Sequence, residues 1–126
     1  ALDVRTITES ERLRTDYWHR ARKFLDSYDY IITPTVGIPA FDLDHTLPFE
    51  VDGTRVEKFL DLILTTYAFS VIGLPAISVP CGLTTDGMPV GMQIVGPRQR
   101  EDLVLHAASA FAAIRPQHFS RPELTT

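Results

Sequence analysis

Four histidines, one cysteine and two lysines are the residues of this 126-residue chain best suited to chemistry, along with two serines, Ser70 and Ser78, that precede its most glycine-rich part. Histidines bind a metal when they are paired at short spacing. Here His19, His45, His106 and His118 are scattered, and no two stand at the i,i+4 interval of a helical ligand pair. His45 lies near Asp42 and Asp44 in a loop, and a solvated turn is a simpler account than a metal site. No metal site and no cofactor is expected. Gly82, Gly87, Gly91 and Gly96 are spaced too widely for a phosphate-cradling loop, and no helix follows them directly. A nucleophile needs a base beside it. Cys81 follows Pro80 at a strand end, but its neighbours are apolar and no histidine is close in sequence, so a small core residue is the simpler account. Ser78 falls in the middle of a strand, and Ser70 is placed to hydrogen-bond the turn into Gly73. Lys23 and Lys58 could replace histidine as a base, but both fall on helix surfaces. Glu50, Asp52, Glu57 and Asp61 supply carboxylates without an apolar pocket around any pair. Taken alone, these residues contain no complete catalytic set.

Local patterns predict the elements that must position them. Thr8 and Glu11 have the spacing of a capping box, and Leu13, Tyr17, Ala21, Phe24 and Tyr28 then recur every three or four residues, which predicts a helix over 10–27. The run "YIITPT" predicts a buried strand over 30–33, stopped by Pro34. Residues 36–53 show no sustained period and read as a long loop excursion holding at most one short hairpin. A second box, Thr54 with Glu57, precedes Val56, Phe59, Leu60, Ile63, Leu64 and Tyr67, predicting one helix with a broad apolar face that ends near Gly73. "AISVP" and "PVGMQIVG" predict two strands, and Asp86-Gly87 between them predicts an antiparallel hairpin. Leu103, Ala107, Ala110, Phe111 and Ile114 share a helix face, with Val104 and Ala108 beside it. Pro116 ends that helix, and residues 116–126 read as a frayed tail. Helices alternate with strands, so the class is α/β, in a single domain over residues 1–126. Three strands offer less sheet than three apolar helix faces require. A missing neighbour, either more chain or a second copy, would resolve the mismatch.

Composition narrows the function classes. Hydrophobic residues at 44% and charged residues at 22% describe a globular chain, and its longest apolar runs fall short of the roughly 18 residues of a membrane helix. A net charge of -4 gives no reason to expect a nucleic-acid partner; the cluster Arg12, Arg14, Arg20, Arg22 and Lys23 is interleaved with carboxylates, as on a solvated helix face. A lone cysteine allows no intrachain disulfide, and with no secretory signal in "ALDVRTITESERLR" a reducing, cytoplasmic location is expected. The chain opens on Ala1 as if mid-sequence.

The stretches "YDYIITPTVGIPA" and "FSVIGLPAISVPCGLTTDGMPVGMQIVGPRQREDLVLHAASAF" together resemble the C-terminal part of the amidase signature family. The matching positions are Asp29, Thr33-Pro34-Thr35, Gly73-Leu74-Pro75, Ser78-Val79-Pro80, Gly82, Gly87, Pro89, Gly91, Gln93 and Glu101, within residues 10–114. The resemblance implies hydrolysis of a carboxylic amide to acid and ammonia or amine. It also implies an α/β/α fold of which this chain supplies a partial mixed sheet with flanking helices. The family's two serines belong to a Gly-Ser-rich stretch of the N-terminal half, which no stretch here resembles, and its lysine also precedes the region represented here. The resemblance therefore implies no catalytic residue in this chain, and an inactive C-terminal fragment when alone. It also places the turn before Gly73-Leu74-Pro75 near the substrate channel, which makes Thr66, Tyr67, Ser70 and Ile72 the channel candidates for a small-molecule amide; many relatives carry Asn at the position of Ser70. Thr33 to Thr35 end a strand, where α/β sheets commonly place binding groups. The competing reading is a non-catalytic structural or partner-binding module, with no nucleic acid and no membrane in either case. A small hydrolase built on Cys81 is a third.

Overall fold

The computed structural model describes residues 3–42, 44 and 49–116. Helix α1 spans Val4–Leu25, longer than the sequence predicts, because Asp3 is the N-cap and its carboxylate accepts the Thr6 amide at 2.7 Å. The expected capping box at Thr8 and Glu11 therefore lies inside the helix. Thr8 Oγ1 donates to the Val4 carbonyl, and Glu11 pairs with Arg14. The amides the box would have served are already bonded within the helix. Along the solvent face, Glu9, Arg12 and Asp16 form an i,i+3/i,i+4 ladder.

Strand β1, Ile31–Pro34, follows, and then the hairpin of β2, Phe49–Val51, with β3, Thr54–Val56. Its two-residue turn, Asp52-Gly53, has φ of 48° and 71°, the left-handed pair that a tight hairpin turn requires. Thr54 thus enters a strand instead of capping a helix, and Glu57 pairs with Arg55 at 3.1 Å. The single helix expected over this region is two: α2, Phe59–Leu62, and α3, Leu64–Ser70, broken at Ile63 (φ -101°, ψ 16°). At the break the Leu62 carbonyl accepts the amide of Gly37, 3.1 Å away, which ties the incoming loop to the helix pair. The broad apolar face is not packed as expected. Leu62 and Phe69 are buried, whereas Phe59, Leu60, Leu64 and Tyr67 are each at least half exposed.

Strands β4, Ala76–Leu83, and β5, Pro89–Val95, form the expected antiparallel hairpin; Thr84 closes its turn, its carbonyl accepting from the Gly87 amide and its own amide donating to the Met88 carbonyl. Cys81 occupies an irregularity in the register between Pro80 and Gly82. The main sheet has the order β1-β5-β4, and both pairings are antiparallel. Its central strand alternates: Val95 packs with Ala21, Phe69, Ile72 and Leu74 against α1 and α3, while Ile94 packs with Val79 and Ala108. Ala108 belongs to α4, Glu101–Ile114, so helices cover the two faces of an open sheet. The buried edge of α4 is Val104 and Ala108, with Ala107 and Phe111 beside them. Ile114, expected on the buried face, is 73% exposed because α4 runs past the end of the sheet contact.

Asp3 is held below the ordinary aspartate range by the Thr6 amide. Its cap is fully present above the unfolded-state value and is lost as pH falls through the lower folded-state value. The stability difference between the natural chain and Asp3→Ala, followed by helical ellipticity during urea unfolding, is therefore expected to narrow as acid is added. A difference that stays constant to the lowest pH would show that the charge does not contribute.

Candidate functional site

Gly91, Gln93 and Val95 point to one face of β5, and the two positions of that face nearest the loop after β1 organise that end of the sheet. Gln93 is 2% exposed. Its Nε2 donates to Thr33 Oγ1 at 3.1 Å and to the Thr65 carbonyl at 3.2 Å, joining β1 to α3 across the central strand. A buried amide is tolerated only with such partners. Two residues along, Gly91 leaves a gap in which the hydroxyls of Thr35 and Ser78 meet at 2.6 Å. A Cβ on Gly91 would lie 2.8 Å from Thr35 Oγ1 and 3.0 Å from Ser78 Oγ, so the pair exists only because residue 91 has no side chain. Thr35 is the hub. Its amide donates to the Gly91 carbonyl at 3.0 Å, and its carbonyl accepts from Thr65 Oγ1 at 2.8 Å and Thr66 Oγ1 at 2.9 Å. The start of α3 is thereby fixed to the end of β1 by two side-chain hydrogen bonds.

Gly91 also lines a cleft of about 490 Å³, with Pro34, Val36, Ile38, Phe41, Phe59, Leu62, Ile63 and Val90 among its other walls. None of its lining residues is ionisable among the described residues. The cleft can therefore take an apolar group, with the Thr35 and Ser78 hydroxyls adjoining it at Gly91 as neutral hydrogen-bonding groups. Among the described residues it carries no base that could activate either hydroxyl. The carboxylates held below their ordinary range lie elsewhere, on helix surfaces: Asp3 through the Thr6 amide, Glu9 through Arg12 and Asp102 through Arg100.

The residues singled out from the sequence separate in space. Thr66 belongs to the network through Thr35, and Ser70 Oγ donates back to the Thr66 carbonyl at 3.1 Å within α3, not to the turn at Gly73. Tyr67 is half exposed. Ile72 is buried in the core under α1. Ser70 and Ile72 instead line a second groove, with Arg14, Trp18, Gly73 and Arg98. Ser78 lies within β4, as expected, and is exposed between the half-buried Ile77 and the buried Val79. Cys81 points its thiol at the Val90 carbonyl, 3.4 Å away, across the hairpin. His45 and His118 lie outside the described residues. Among the described residues, no group of three His, Cys, Asp or Glu is arranged to hold a metal, and no helix is long and apolar enough to cross a membrane. The chemistry of the sequence does not single out Gln93. Its signal is a polar side chain at an apolar-face position of the strand "PVGMQIV", two residues before Val95.

A model of the Amidase family matches residues 2–105. The acylamidase of Rhodococcus erythropolis is 34% identical over 116 residues, which is 92% of this chain but 24% of that protein. A component of the glutamyl-tRNA(Gln) amidotransferase of Oceanobacillus iheyensis is 33% identical over 116 residues, 92% of this chain and 22% of that protein. Among solved structures, a bacterial aryl acylamidase of the amidase signature enzymes superposes with a TM-score of 0.79 at 30% identity, over 97% of this chain and 26% of that one. A 6-aminohexanoate cyclic dimer hydrolase gives 0.79 at 29% identity, over 97% and 27%. The chain thus spans about a quarter of the length of the curated relatives it matches. With the family model running through all of α1, the sheet and the start of α4, this chain belongs to the amidase signature family.

Proposed function

We propose that these residues are the C-terminal portion of an amide hydrolase, forming one wall of its substrate channel while the nucleophile and its base reside in a part of the polypeptide outside residues 1–126. The observation that carries this reading is the combination of family membership over residues 2–105 with a span of about a quarter of each relative. The family's chemistry is acyl transfer from an amide, which needs an activated nucleophile and donors for the developing oxyanion. The cleft at Gly91 supplies neither, and its apolar lining fits the acyl or amine substituent of an amide better than its reacting carbonyl. In this reading Thr66 and Tyr67, within the anchored α3, and Ser70 at its end face the channel of the longer enzyme, with Ile72 packed behind them in the core. The network on Thr35 holds α3 at a fixed position. The exposed Phe59, Leu60, Leu64 and Tyr67 agree with a wall that has lost its neighbour.

The test is hydrolysis of a chromogenic anilide by the purified 126-residue chain and by the polypeptide read from its complete frame. Turnover is expected only from the longer polypeptide, with the 126-residue chain indistinguishable from buffer. Robust turnover by the 126-residue chain, abolished by Ser78→Ala or Cys81→Ala, would overturn the proposal.

A further inference from the structure

The cleft at Gly91 is built from three pieces of chain. One side is the loop after β1, from Val36 to Phe41; the second is α2 with the break that follows it, through Phe59, Leu62 and Ile63. The start of β5, with Gly91, is the third. The Gly37 amide donates to the Leu62 carbonyl at 3.1 Å, so the loop and the helix are tied to each other beside the space they enclose. That space is about 490 Å³, within the range of small-ligand pockets. Its side chains are apolar, and among the described residues no ionisable group lines it. The hydroxyls of Thr35 and Ser78, which meet over Gly91, are neutral as well. One of them donates to the other, and together they keep one proton to give and lone pairs to accept.

A charge taken out of water without a partner is costly, so walls of this kind discriminate against an ion more strongly than they rank one apolar group against another. We propose that the cleft selects by charge: it takes an uncharged, apolar substituent, and the amides used by the longer enzyme carry neither a carboxylate nor an ammonium on the side that meets it. Val36, Phe59 and Ile63 are then the residues that set the choice. This narrows the substrate class within the amide-hydrolase reading and rests on that reading for the word substrate. The preference of the cleft itself is measurable without turnover.

Hexanamide, hexanoate and pentylammonium share one alkyl tail and differ in the charge of the head. They are titrated into the 126-residue chain and followed at the Ile63 methyl resonances in a proton–carbon spectrum. Hexanamide is expected to move these signals saturably, with the two ions binding about tenfold more weakly or worse. Pentanamide should bind about threefold more weakly than hexanamide, a little less than full burial of one methylene gives. Phe59→Ala, at a position 62% exposed where folding should not suffer, is expected to weaken hexanamide about fivefold. Leu60→Ala, similarly exposed on α2 but outside the cleft, should leave the affinity unchanged. Val36→Asp, also exposed, should reverse the order and admit pentylammonium ahead of hexanamide. Equal binding of the three ligands, or Ile63 signals indifferent to hexanamide, overturns the selection by charge. A response weakened as much by Leu60→Ala as by Phe59→Ala overturns the site. The amide-hydrolase reading fails by a different result, the absence of turnover from the longer polypeptide.

Discussion

Replacing Gln93 by leucine is expected to lower the unfolding free energy by about 2 kcal/mol, since each buried acceptor left without a donor costs about 1–3 kcal/mol. The amide is 2% exposed and bonds both the Thr33 hydroxyl and the Thr65 carbonyl. Leucine fits the volume but offers neither acceptor a hydrogen, and the added apolar area offsets part of the loss. Urea unfolding should show a lower midpoint with an unchanged slope. Thr33→Val, which removes one acceptor together with its need for a donor, should cost less. Equal midpoints for the natural chain and Gln93→Leu would mean that water reaches this amide and that the link from sheet to α3 adds no stability.

The second large effect is expected at Gly96, where the chain leaves β5. A Cβ there would lie 2.6 Å from Val104 Cγ2, well inside contact distance. A valine in a helix is held largely to one rotamer, so α4 itself must shift to make room. Gly96→Ala should therefore destabilise by about 1–3 kcal/mol, the usual range for overpacking. Val104→Ala, at a position only 3% exposed, should also destabilise, by leaving a void. Combined, the two changes should cost less than their sum, because the new methyl enters the space the valine vacates. Strict additivity of the unfolding free energies would rule out this contact as the source of either effect.

Much of the fold can be read from local signals. Asp86-Gly87 between two apolar runs specifies the β4-β5 hairpin, and the run before Pro34 specifies β1, because turn chemistry and strand patterning are decided by neighbours in sequence. Helix starts are less legible for a related reason. Two Thr-x-x-Glu spacings look like caps, but a capping box marks a helix end only if no earlier residue supplies the cap. Asp3 does so in one case, and in the other the Asp52-Gly53 turn draws Thr54 into a strand. The break at Ile63 is illegible because it is tied to a hydrogen bond from Gly37, far upstream in the loop. The candidate site is legible in part. Thr35 and Thr66 meet as neighbours, yet their link depends on long-range register, and the role of Gln93 follows only from seeing which face of β5 meets α3. Thr66 and Ser70, though bonded to each other along α3, open onto different surroundings, the Thr35 network and the groove at Trp18.

Among the described residues no further strand pairs with either margin of the three-stranded sheet, and each marginal strand carries a proline: Pro34 in β1 and Pro80 in β4. A proline has no amide hydrogen to offer, so neither margin presents an unbroken row of donors for a foreign strand to zip onto. The register irregularity at Cys81 interrupts the β4 side further. A sheet left open in this way is guarded against runaway self-association during synthesis, when its exposed apolar side chains would otherwise make it a template for fibre growth.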